Sequence, residues 1–147
     1  MESTNWIKLE FPSDTRNVAF ARTALALFAA QLDWTLDELE DIKVAVSEAV
    51  SNSIIHGYQL QEGIVHVHAS HSNQILKITI EDFGQGIADI EQATETGYSS
   101  IPEERMGLGF TFMYEYMDEV QVISEVNVGT KVTMFKRVGH PESHGTN

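Results

Sequence analysis

Glu48, Asn52 and His56 recur every fourth residue, and at about 100° per residue that spacing places them in one stripe along a helix. The stripe would hold a carboxylate able to take a proton, an amide oxygen able to ligate a hard cation, and an imidazole. On spacing alone a solvated helix face accounts for it as well. Its borders argue for a site: Val44, Ala45 and Ile55 flank the stripe and suit an open surface poorly, while Val46, Val50 and Ile54 form a core ridge roughly opposite.

Two glycine-bearing segments offer further chemistry. Asp82-Phe83-Gly84-Gln85-Gly86 follows an alternating strand; its glycines allow a ligand close to the backbone, and Asp82 can accept a hydrogen bond from a donor such as an adenine amine. A strand-end turn with a turn-forming aspartate is the competing reading. Asp-Phe-Gly also matches the metal-binding tripeptide of eukaryotic-type protein kinases, but the chain has no His-Arg-Asp loop, no Val-Ala-Ile-Lys-like strand and no Gly-Lys-Ser/Thr P-loop. Arg105-Met106-Gly107-Leu108-Gly109-Phe110 is expected to open a third helix, gathering backbone NH groups, a helix N-terminus and a cation suited to phosphates. Helix capping or packing is the competing reading for these glycines.

The elements that must position these residues follow from periodicity. Trp6 to Phe11 alternates as a strand with Ile7, Leu9 and Phe11 on one face, and Ser13 or Asp14 caps a helix from Thr15 to Leu32. Thr35 and Glu38 form a capping box for a second helix, which Gly57 stops. Strands over Ile64 to Ser70 and Ile75 to Glu81 join through Ser72-Asn73. Asp82 to about Met106 reads as a long loop, Leu108 to Met117 as a helix, and Val120 to Val126 with Thr130 to Val138 as a hairpin around Asn127-Val128-Gly129. The order predicts an α+β domain, its helices packed on one face of a mixed, mostly antiparallel sheet. One domain over 1–140 and a disordered tail over 141–147 are expected.

The chain has 147 residues, 42% hydrophobic and 21% charged, enough for one sizeable core. It has no cysteine, which excludes disulfides, thiolate zinc sites and cysteine nucleophiles. A net charge of -13 argues against nucleic acid as a direct partner and favours a basic protein surface. It also repels a nucleoside triphosphate, so a nucleotide site must supply local positive charge. With no apolar run long enough for a membrane span and no leader-like start, a cytoplasmic protein is expected.

Together, the segment Glu48 to Gly57, the Asp82 to Gly86 loop, the Arg105 to Gly109 segment and Gly129-Thr130 resemble the ordered motifs of the GHKL ATPase superfamily. Phe20-Ala21-Arg22, Ala30-Gln31-Leu32-Asp33 and Met117-Asp118-Glu119-Val120 are similar to the sporulation anti-sigma-F family within it. The resemblance implies a two-layer α/β sandwich of the GHKL (Bergerat) type that binds ATP or ADP with Mg²⁺. It implies Glu48 as general base, Asn52 as Mg²⁺ ligand, Asp82 as acceptor from the adenine amine and Thr130 as its support. Gly84 and Gly86 would line the base pocket, and Arg105, Gly107 and Gly109 would hold phosphates beneath a lid formed by the long loop. His56 is read as structural.

The same resemblance implies a protein serine kinase that binds a sigma-F type sigma factor and phosphorylates an anti-anti-sigma protein on serine. It also implies a homodimer and a role for Arg22 in presenting the first helix to partners. A sigma-B type stress kinase and a non-catalytic ATP-dependent binding module are the alternatives. The closest rival is a histidine-kinase catalytic domain, which shares this nucleotide fold but needs a phosphoaccepting helix hairpin joined to it, whereas a strand and one helix are expected ahead of the second helix here. His66, His68 and His71 allow a metal site, although an exposed strand face explains them more simply. Trp6, Trp34, Phe110, Phe112, Tyr114 and Tyr116 are expected to be packing groups.

Overall fold

Alternating apolar residues build a five-stranded sheet in the order β1-β2-β3-β5-β4. The structure, a computed structural model, describes residues 4–90 and 101–139, with the backbone alone for 101–108. Its elements are β1 (Asn5–Pro12), α1 (Asn17–Ala29), α2 (Leu36–Asn52), β2 (Ile64–Ser72), β3 (Ile75–Asp82), α3 (Ile101–Tyr116), β4 (Glu119–Glu125) and β5 (Gly129–Arg137). Every pairing among the described residues is antiparallel, so the expected mixed sheet is in fact uniform. The expected tail and residues 91–100 of the expected lid lie outside the described residues.

Val65, Val67 and Ala69 of β2, Leu76, Ile78 and Ile80 of β3, and Val132 and Met134 of β5 point inward and are buried. They form one core with Leu25, Phe28, Ile42, Val46, Val50, Ile54, Phe110 and Met113 of the helices. Each fully buried aliphatic side chain contributes about 1.5–3 kcal/mol to stability. The other face of the sheet carries Trp6, Lys8, Lys77 and Lys131, all exposed.

β5 lies between β3 and β4, which brings the end of β3 against the start of β5 and pairs Asp82 with Thr130. The β2–β3 turn is Asn73-Gln74, one residue later than expected; both have positive φ, 55° and 65°, the geometry that closes a two-residue hairpin.

Helix boundaries differ from expectation in three places. α1 begins at Asn17 because the Asp14 carboxylate accepts from the Arg16 backbone NH at 2.8 Å and from its guanidinium at 2.6 Å. Asp14 thus closes a preceding turn and caps no helix. α2 has its capping box, with Glu38 N donating to Thr35 Oγ1 at 3.1 Å and Thr35 N to Glu38 Oε1 at 2.8 Å. It does not run unbroken to Gly57: a π-helical turn, Ser53–Gly57, replaces its end, and Tyr58 N donates five residues back to Ser53 O at 2.9 Å. α3 begins at Ile101, so Gly107 and Gly109 lie inside it and do not open it. Pro102, read from sequence as a loop residue, suits a helix's first turn, as do Glu103 and Glu104 beside the positive end of the dipole.

The far end of α3 is fastened to the sheet. Lys136 is 6% exposed, and its ammonium donates to the Tyr116 carbonyl at 2.6 Å, at the negative end of the helix dipole. Nearby, burial pushes the Asp41 carboxyl above its ordinary range, against the opposing pull of the Lys136 charge. The aromatic set divides: Trp34 and Phe110 are buried, whereas Trp6, Phe112 and Tyr114 are exposed and Trp6 stacks on His68.

Candidate functional site

Asp82 ends β3, where the alternation points it inward, and it is 2% exposed. Its carboxylate accepts from Gly84 N at 3.0 Å, from the Ser53 hydroxyl and from the Thr130 backbone. Burial pushes its carboxyl above the ordinary value of 3.8, and these three hydrogen bonds hold part of that rise back. A carboxylate has about four acceptor positions. Three are used by the described protein, which leaves one for a ligand donor.

The loop after Asp82 is fixed on both sides. Gln85 N donates to Gly57 O at 2.9 Å, Gln85 Nε2 to His56 O at 2.7 Å, and Asn127 N to Gln85 O at 2.7 Å. The π-helical turn supplies the first two acceptors. Gly84 must be glycine here because an added Cβ would stand 2.1 Å from Gly57 O. At Gly86, φ is 76° and a Cβ would meet Glu125 O at 2.2 Å. Ile87 N donates to Ser124 Oγ at 2.7 Å.

At the other end, Glu48 and Asn52 of α2 face α3. A Cβ on Gly109 would lie 3.0 Å from Glu48 Oε1 and 3.3 Å from Asn52 Nδ2. Asn52 Nδ2 is buried and has no hydrogen-bond partner among the described residues. A half-turn of the amide exchanges its nitrogen and oxygen, so the unpartnered position suits the oxygen that a hard cation requires. Asn52, Ser53, His56, Asp82, Ile87, Phe110 and Thr130 line one cleft, which has room for about one water molecule.

The structure thus gathers Asn52, His56, Asp82, Gly86 and Thr130 on the cleft, with Gly84 tying down its loop and Glu48 beside Gly109 at its edge. Arg105 and Gly107 belong to α3, and the side chain of Arg105 lies outside the described residues. Arg22 stands away from the cleft on α1, where its Nη1 donates to Ser47 Oγ at 3.3 Å. The three histidines do not converge: His66 and His68 sit on the outer sheet face, whereas His71 Nε2 contacts Gln31 Oε1 at 2.9 Å beside Phe28. Among the described residues no cluster of three His, Asp or Glu side chains could hold a metal.

Three contributors went unread in the sequence. Gln85 had a signal, since it lies between two motif glycines. Ser124 had a fainter one, as a serine closing the inward row Val120 and Val122 of β4. Ser53 had none beyond its place next to Asn52.

Residues 11–136 match the model of the histidine kinase-like ATPase domain. The anti-sigma F factor of Clostridium kluyveri is 53% identical over 133 residues, covering 90% of this chain and 94% of that protein. The anti-sigma F factor of Halalkalibacterium halodurans is 48% identical, covering 91% and 93%. Among solved structures, the RsbU and RsbW domains of a Mycobacterium tuberculosis protein superpose with a TM-score of 0.62 at 18% identity, over 90% of this chain and 32% of that one. The histidine kinase domain of a blue-light activated kinase from Erythrobacter litoralis gives 0.57 at 18% identity, over 90% and 64%. At such identity these two speak for the fold alone.

Proposed function

The chain belongs to the histidine kinase-like ATPase family and, within it, to the anti-sigma F factors, and from that premise we propose that it is an ATP-dependent protein serine kinase that also sequesters a sporulation sigma factor of the sigma-F type. Its phosphoryl acceptor is a serine of an anti-anti-sigma protein, and phosphorylation inactivates that partner. It acts in the cytoplasm as a homodimer, and Arg22 on α1 contributes to the partner surface.

The observation that carries the nucleotide reading is the buried Asp82 carboxylate, with three protein donors and one acceptor position left at the cleft. An adenine amine donates there, beside Thr130 and the loop held by Gly84 and Gly86. The Nδ2 position of Asn52, without a partner among the described residues, supports its role as ligand to Mg²⁺, which when bound neutralises phosphate charge. On this reading Arg105, Gly107 and Gly109 hold the phosphates, within α3 and away from its N-terminus. Glu48, on the same helix as Asn52, accepts the proton of the incoming serine hydroxyl.

Transfer of label from γ-labelled ATP to the purified serine-bearing partner tests this. Glu48→Gln is expected to lower the transfer rate about 10²- to 10⁴-fold with nucleotide affinity retained, and Asn52→Ala to lose the Mg²⁺-dependent part of that affinity. A full rate in Glu48→Gln overturns its role. No label on the partner with the wild-type chain leaves an ATP-dependent binding module.

A further inference from the structure

We infer that Ser124 is a positioning residue for base selection: it takes the hydroxyl proton of Thr130 and thereby presents Thr130 to the cleft as a hydrogen-bond acceptor. The inference rests on the proposed adenine-nucleotide site and assigns the origin of its selectivity.

Ser124 pairs with Thr130 across β4 and β5. Its Oγ has three neighbours: Ile87 N at 2.7 Å, Gly129 O at 3.0 Å and Thr130 Oγ1 at 2.8 Å. A serine hydroxyl has one proton and two lone pairs. The backbone NH of Ile87 can only donate, and the carbonyl of Gly129 can only accept. The proton of Ser124 therefore goes to Gly129 O, one lone pair takes the Ile87 NH, and the remaining lone pair takes the Thr130 proton. What Thr130 has left for the cleft is lone pairs.

Ionised Asp82 also only accepts. The two side chains together make a wall that a base must meet with donors. Adenine meets it with an amine bearing two hydrogens. Hypoxanthine has a carbonyl at that position and would set acceptor against acceptors, leaving buried polar groups unpaired. Once Ser124 is gone, the Thr130 hydroxyl can rotate and donate to that carbonyl.

Calorimetric titration of the full chain with ADP and with inosine diphosphate reads the effect as a ratio of affinities. The wild-type chain is expected to prefer ADP by about 100-fold or more. In Ser124→Ala the preference falls about tenfold, with inosine diphosphate gaining as ADP weakens. Ser124→Cys, which keeps the site filled, moves the ratio in the same direction, and Ser124→Thr restores it. In a Thr130→Val background, Ser124→Ala leaves the ratio unchanged. Equal weakening of both nucleotides in Ser124→Ala and Ser124→Cys, which a mere loop support would give, overturns the inference alone. A wild-type chain that binds neither nucleotide overturns the adenine reading and this inference with it.

Discussion

At the proposed base end of the cleft, the loop from Asp82 to Gly86 is tied to strand ends and to the π-helical turn by hydrogen bonds of 2.7–3.0 Å through backbone groups and the Asp82 and Gln85 side chains, whereas at the proposed phosphate end Glu48 and Asn52 meet α3 through side-chain tips across Gly109. At the first end backbone stands against backbone. At the second, a carboxylate and an amide can swing on their own torsions. Under the proposed function, the difference assigns base recognition to a scaffold tied by backbone groups, and catalysis and metal binding to side chains and a helix that can adjust to phosphates. The amide nitrogen of Asn52, which has no partner among the described residues, fits the same division, since such a position is available to a ligand.

The same change made at both ends would break or sharpen this contrast. Gly84→Ala drives a methyl into the Gly57 carbonyl, a clash that only a backbone shift relieves. It should cost about 1–3 kcal/mol in urea denaturation, together with most of the ADP affinity. A loss under a few tenths of a kcal/mol would show the base end to be looser than described.

A second, intermediate effect concerns pH. Burial raises the Asp82 carboxyl, so the folded chain keeps this proton to higher pH than the unfolded chain does. Its contribution to stability is present at low pH and is lost as pH rises through the raised value. Nucleotide binding runs the other way, because the adenine amine needs the ionised acceptor. ADP affinity should therefore fall on acidification at a pH above that of an ordinary aspartate, and this limb should be absent from Asp82→Asn. An identical acid limb in both proteins would place the titrating group elsewhere.

Gly109→Ala should have the smallest effect on stability. Its new methyl would meet the tip of Glu48 at 3.0 Å, and the gain in helix propensity is about 1 kcal/mol. The expected net change in a denaturation curve is within about 1 kcal/mol of zero, with the cost appearing in phosphoryl transfer. A stability loss matching that of Gly84→Ala would remove the distinction between the two ends.

How far the sequence exposed this site depended on whether the cause was local. The Thr35–Glu38 capping box, the alternation of β2 and β3 and the Asp82–Gly86 loop are short-range patterns, and each stands where its spacing placed it. The π-helical turn was hidden, because its backbone acceptors are held by Gln85 from a distant loop. The start of α3 was misplaced because Pro102 serves a loop and a helix's first turn equally well. Ser124 meets Thr130 across the β4–β5 hairpin that the sequence exposes; the pairing of β5 with β3 and the contact of Ser124 with the distant Ile87 NH, which set the pair beside Asp82 and its loop, lie in no window of periodicity. The phosphate-binding reading of the third segment depended on a helix N-terminus, and the structure moves that terminus to Ile101.

Calorimetry of ADP binding to the wild-type chain and to Asp82→Asn tests the central claim most directly. The account predicts clear binding by the wild type and a loss of about 10- to 150-fold in the variant, the range expected for a hydrogen bond to a charged group. Equal affinity in the two proteins, or no heat from the wild type, would contradict it.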